Sequence, residues 1–139
     1  MSWYVYINNY MHAPQNVSLR VKLLNSTMQP PNDLLHQPSP FPSLTEIPVH
    51  LATNEQLVLP FSWSVLSTSL RGGLVSINQL RVNNSSVNVN VGSSPHLFRM
   101  VFELWVYNQT SKVYDFGWYS GSNYSSASIY IWFNLNLPT

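Results

Sequence analysis

The chain has no cysteine, which excludes a disulfide framework, a thiolate zinc site and a cysteine nucleophile together. Charge is almost as scarce: Lys and Arg total 6, Asp and Glu 5, and the formal net charge is +1. No basic patch for nucleic acid or an anionic membrane surface can be assembled from that set, so neither partner is expected. No stretch approaches the ~20 apolar residues of a membrane span, and no basic start, apolar run and cleavage site mark a signal peptide. The opening segment MSWYVYINNYM is aromatic and strand-like instead. Membrane attachment is therefore expected only through an anchor outside this chain, as in a domain cut from a longer protein with Met1 added at the cut. Export by another route is the alternative.

Helical periodicity is also missing. A length of 139 residues suits one domain with a real core, and its apolar residues alternate with period two. Strands are expected at Trp3–Asn8, Val17–Leu24, Glu46–Ala52, Gln56–Val65, Leu74–Val82, Val87–Val91, His96–Tyr107, Lys112–Tyr119 and Ser126–Asn134, separated by Asn, Gly, Ser and Pro clusters. In NVSLRVKLL, Val17, Leu19, Val21 and Leu23 face one way and Ser18, Arg20 and Lys22 the other, as in a half-buried antiparallel strand. Arg71–Gly73 reads as a hairpin turn needing positive φ. The expected architecture is an immunoglobulin-like antiparallel β-sandwich spanning 1–139, although the Cys…Trp…Cys marker of true immunoglobulin domains is absent.

Catalytic and metal-binding patterns are sparse. His12, His36, His50 and His96 have no metal-ligand spacing, so no metal and no cofactor is expected. The serines sit in no G-x-S-x-G elbow. Glu46, Glu55, Glu103, Asp33 and Asp115 are dispersed over separate elements, which does not advertise the paired carboxylates of a glycosidase. A non-enzymatic protein is the expectation.

Proline interrupts the strand rhythm. Residues 28–48 hold six of the ten prolines, and proline fixes φ and donates no ladder hydrogen bond, so this is a long excursion with polyproline character. One reading is a recognition loop presenting Leu34, Leu35, His36 and Phe41. The other is a stiff crossover over a sheet edge, with Leu34, Leu35 and Phe41 pinned to the core.

In FRMVFELWVYN both faces are largely apolar, which predicts a central strand covered on both sides. Arg99 and Glu103 share a face roughly 13 Å apart, too far to meet unaided, so each is expected to pair with a neighbouring strand. A hairpin centred on Gln109–Thr110 would set Tyr107 opposite Lys112, Trp105 opposite Tyr114, Glu103 opposite Phe116 and Val101 opposite Trp118. Glu103 among rings needs a cation, for which Arg99, Arg20 and Lys22 are candidates. A buried structural ion pair is the first expectation. The alternative is a ligand pit floored by Glu103 and walled by Trp105 and Trp118, with Trp132 adding to a carbohydrate-binding or carbohydrate-cleaving face.

Asparagine and serine far outnumber charged residues and supply N-x-S/T sequons at Asn16, Asn25, Asn83, Asn84, Asn108 and Asn123. Most fall where turns are expected, where a glycan fits. That favours an extracytoplasmic, N-glycosylated surface domain. Few carboxylates also predict acid resistance: stability held by a carboxylate of depressed pKa is lost only as pH falls through that pKa, roughly pH 4 to 1.

WYVYINNYM, VKLLNSTMQPPN, LPFSWS, FRMVFELWVYN, FGWYS and IWFNL together resemble the extracytoplasmic domain of the archaeal family known as domain of unknown function 1616, in its Sulfolobus-type members. The resemblance implies a surface-exposed portion of a membrane-anchored protein, and Arg99, Glu103, Leu104 and Trp105 fall on its signature positions. It implies no activity, cofactor or catalytic residue. The function expected is a cell-surface module that holds a protein or envelope partner. Its rivals are the carbohydrate-directed domain and a structural virion or filament subunit, which an unpaired strand groove or a protruding terminal strand would favour.

Overall fold

The computed structural model describes residues 1–94 and 96–135. Among them are eleven strands and no helix: β1 (Ser2–Asn8), β2 (Gln15–Asn25), β3 (Thr45–Leu51), β4 (Gln56–Arg71), β5 (Leu74–Val82), β6 (Ser85–Ser93), β7 (Leu97–Asn108), β8 (Val113–Asp115), β9 (Trp118–Ser120), β10 (Asn123–Ser125) and β11 (Ser128–Asn134). One four-stranded sheet has the order β1-β4-β5-β6. A five-stranded sheet has the order β11-β7-β2-β3, with β8 beside the end of β7. All of these pairings, and that of the small β9–β10 hairpin, are antiparallel.

Alternation places the core between the sheets. Val5, Ile7, Phe61, Trp63, Ile77, Leu80 and Val82 from one layer meet Val17, Leu19, Val21, Leu23, Phe98, Met100, Phe102 and Val106 from the other. Phe61 and Phe102 join the layers edge to face, with ring centroids 5.0 Å apart, a geometry favoured by the ring quadrupole. The protein is thus an all-β, sandwich-like fold.

Two places depart from the expected strands. The long expected strand Lys112–Tyr119 breaks at Gly117, where φ is +126° and a Cβ would lie 2.5 Å from the Ser125 carbonyl oxygen. The chain turns there out of the main sheet and forms β9–β10. The hairpin register also differs: Tyr107 faces Tyr114 and Asn108 faces Val113, because Asn108 Oδ1 accepts from the Thr110 and Ser111 amides and Lys112 adopts φ 60°. The turn therefore spans residues 109–112. Glu103 consequently lies opposite Arg20 on β2 and Ser128 on β11, not opposite Phe116. At Gly72 and Gly73 both φ values are positive, and Arg71 faces Leu74 across the two-residue turn expected there.

Residues 26–44 connect β2 to β3, so Pro48 falls outside the excursion and within edge strand β3, opposite Ser18. An edge strand tolerates the missing donor.

Candidate interaction surface

Glu103 is 0% exposed, and its environment comes from two strands and one crossing segment. Lys22 on β2 and Glu103 on β7 project from the outer face of the five-stranded sheet. Lys22 Nζ lies 2.8 Å from Glu103 Oε1. Glu103 Oε2 accepts from the Ser39 amide at 2.7 Å, Lys22 Nζ donates to the Ser39 carbonyl at 2.6 Å, and Trp105 Nε1 donates to Oε1 at 3.2 Å. The carboxylate, the ammonium and both main-chain groups of Ser39 form a closed ring. Of the three expected cations, Lys22 takes the role. Arg20 instead reaches Glu46 at 3.5 Å and covers the Trp105 ring at 3.9 Å.

Arg99 enters no ion pair among the described residues, a departure from the expected charge pairing. Its side chain donates to the Met28 carbonyl at 2.6 Å and lies 4.7 Å from the Trp132 ring and 5.4 Å from that of Tyr130. Burial lowers its pKa from the ordinary arginine value, yet the excursion's carbonyl and two ring faces still stabilise the cation.

The expected ligand pit is not assembled. Glu103 and Trp105 point to the outer face, Trp118 lies on the other side of β7 with Leu104 and Ile7, and Trp132 stands opposite Arg99 rather than beside an acid. Tyr130 and Trp132 meet at 85° and so present no flat platform. Leu104 packs against the core. Among the described residues no three metal-ligating side chains group together; His36 bonds Ser126 Oγ at 3.0 Å and His50 bonds Asn16 Oδ1 at 2.7 Å.

The proline-rich excursion lies across the outer sheet face, tied to β2 and β7 by Lys22, Glu103 and Arg99. Beside and on β11, Ser126 Oγ donates to the Asp33 carbonyl and Ser128 Oγ to the Asp33 carboxylate. This strap covers a face rather than an edge. Its turn is closed by two main-chain bonds between Asn32 and Gln37, while Asn32 Oδ1 accepts from the Leu34 and Leu35 amides and His36 takes φ 54°. Leu34 is 91% exposed and Leu35 is also exposed, so neither is pinned to the core; Phe41 is half-buried.

Besides a cavity of about 650 Å³ between Phe41–Leu44 of the strap and Val87–Val91 of β6, one side of the sandwich is open, between β1 and β11. Two adjoining cavities of about 300 Å³ each share Ile7, Asn8, Tyr10, Leu104 and Trp118. Together they form a trough floored by core side chains. Tyr6 and Tyr10 stand exposed along its β1 side and Ile129 along its β11 side. Neither edge carries a charged residue or a proline, whereas β3, on the far side, carries Glu46 and Pro48.

The sequons divide by geometry. Asn84 and Asn123 are exposed, as is Asn16 on β2. Asn25 and Asn108 are half-buried and spend their amides on the Gly92 carbonyl and the Asp115 carboxylate. Asn83 sits in the β5–β6 turn at φ 51° and accepts from the Ser62 amide.

These features define a class: an antiparallel β-sandwich whose few buried charges are tied up in holding a strap, with apolar surface left bare along one side. No protein-family model, curated protein or solved structure matches this chain.

Proposed function

We propose that the chain is a non-enzymatic, extracytoplasmic interaction module that binds a protein or envelope partner along the open side between β1 and β11. The carrying observation is the trough with its two uncharged flanking strand edges, because unpaired main chain beside an apolar floor is what an extended partner segment recognises; the same open groove favours the second reading, a structural virion or filament subunit, in which that segment comes from another subunit. The resemblance to the family of domain of unknown function 1616 supports the compartment, as do the exposed sequons at Asn84 and Asn123. The low charge fits a surface whose recognition rests on main chain and apolar contacts.

The finer architecture is read as a variant of the immunoglobulin-like Greek key. The pairings β1–β4, β2–β7, β7–β11 and β2–β3 correspond to B–E, C–F, F–G and C–C′. The meander β5–β6 continues from β4 on the side that strand D occupies in immunoglobulin domains. No counterpart of strand A occurs among the described residues.

Two measurements test the proposal. Glycopeptide mapping of the protein from its own host is expected to find sugar at Asn84 and Asn123 and none at Asn25 or Asn108; six bare sites would remove the argument for the compartment. A photo-crosslinking residue at Tyr10, introduced in the host, is expected to capture an envelope protein. Irradiated cells yielding no adduct would overturn the partner-binding role.

A further inference from the structure

The edge strand β11 is anomalous on both faces at once. Ile129, Tyr130, Ile131 and Trp132 are consecutive and 54%, 48%, 39% and 42% exposed. The β7–β11 ladder runs without a register shift from Ser128↔Glu103 to Asn134↔Leu97, and the strand contains no charge, proline or glycine. Long, regular, hydrophobic edges template strand addition, and native sequences normally guard them. Here β3 is guarded and β11 is not.

The main chain shows which groups are free. Leu104 N donates to the Ala127 carbonyl and Leu135 N to the His96 carbonyl. Odd-numbered residues of this strand therefore aim their amide and carbonyl at β7. Those of Ser128, Tyr130, Trp132 and Asn134 aim outward, where nothing among the described residues pairs with them.

We propose that the partner at this edge is a second copy of the same strand, paired antiparallel about a two-fold axis at Ile131. The inference goes beyond the interaction-module reading and stands on the geometry of the β11 edge. The strand is self-complementary about that residue. Ile131 faces its own copy, Ile129 faces Phe133, Tyr130 faces Trp132 and Ser128 faces Asn134, so apolar meets apolar in the middle and polar meets polar at both ends. The side-chain faces also agree, since residues related by the axis share parity. Tyr130–Trp132 and Ser128–Asn134 become the hydrogen-bonded pairs, using the groups left free, and Ile131–Ile131 becomes the closer non-hydrogen-bonded pair.

The interface closes at two copies, because an isologous pairing consumes the edge on each. The exposed parts of the four large side chains, with Ser128, Phe133, Asn134 and the strand edge, set an upper bound of roughly 500–600 Å² per copy on what the pairing buries, which puts it at or below the low end of specific interfaces. The dimer should then dissociate on dilution, with Kd on the order of micromolar.

The test is sedimentation velocity of the full chain across a dilution series, with Ile131→Lys and Ile131→Glu variants alone and mixed. Ile131 stands outside the packed core cluster, so both should fold, with circular dichroism as the check. The expected result is a wild-type dimer, monomeric single variants through like charges directly opposed, and a heterodimer on mixing. Tyr130→Pro provides a second variant that removes one outward amide while leaving the β7 ladder intact; it too should be monomeric. A wild-type monomer at every concentration, a variant that folds yet keeps the dimer, or a mixture that stays monomeric would each overturn the pairing. A monomer that still captures an envelope protein through Tyr10 would sink self-pairing and leave the interaction module standing; a dimer without adducts would do the opposite.

Discussion

Lys22 is the residue on which the outer face turns. Removing it by Lys22→Ala leaves the buried Glu103 carboxyl group without the one cation that pairs with it among the described residues, a change that typically costs about 3–5 kcal/mol. The pair replaced together, Lys22→Met with Glu103→Leu, should recover much of that loss, though not the bonds to Ser39. Urea unfolding of the three proteins checks the order: single variant weakest, double variant intermediate, wild type strongest. Tyr124 gives a pH-dependent counterpart. Its hydroxyl donates to the Phe116 carbonyl at 2.9 Å, and burial first, then Asp115 and Tyr119, raises its pKa above the ordinary tyrosine value. Stability from such a group is complete below the unfolded pKa of about 10 and is lost as pH rises through the folded one. The thermal midpoint should therefore fall above about pH 10, and Tyr124→Phe, less stable at neutral pH by about 1 kcal/mol, should flatten that fall. At this scale the sequence was partly legible. Strand parity grouped Arg20 with Lys22 and Arg99 with Glu103, and the scarcity of charge left three candidate cations, while the pairing of β2 with β7 that puts all four on one face is tertiary. Nothing local distinguished Lys22 from Arg20, because that choice depends on Ser39, sixty-odd positions from Glu103 in the chain and placed by tertiary packing alone.

Among the elements, the strap behaves as part of the sheet it covers. Ser39→Pro removes the amide that bonds Glu103 Oε2 and should destabilise by about 1–3 kcal/mol. Its sharper readout is limited proteolysis: the wild-type strap should resist cleavage beside exposed Leu34 and Leu35, and the variant should be cut there first, through local opening. The elements themselves were well marked wherever alternation and turn chemistry agreed. Leu74–Val82 coincides with β5, and the Arg71–Leu74 hairpin lies where two glycines require it. Legibility failed where tertiary contacts overrule local pattern. Leu66 to Arg71 lack alternation, yet β4 continues through them across register shifts against β5. The Lys112–Tyr119 run alternates, yet it is broken by Gly117. Residues 28–48 announced a special connection through proline, although its last residues form β3, and whether it covers a face or an edge depends on charges in two distant strands.

For the whole molecule, the pairing is overwhelmingly non-local: Val17 meets Val106 and Ser2 meets Ser62. Folding on the millisecond-to-second scale is expected, as in other sheets closed by distant segments, and stopped-flow tryptophan fluorescence measures it. The scarcity of carboxylates makes the second global expectation, a circular-dichroism melt at about pH 2 with a midpoint close to the neutral one; a collapse across that interval would contradict it.

The Met1 amino group donates to the Trp63 carbonyl at 2.8 Å, and the Trp63 ring lies 4.6 Å from that of Phe133 near the end of β11. The first residue and the last described strand thus finish at one pole. Asn9, Met11, Gln15 and Ser120 line the trough towards the opposite pole. A label carried on Met1 would therefore sit beside Trp63 and Phe133, away from the end of the trough that Asn9, Met11, Gln15 and Ser120 line.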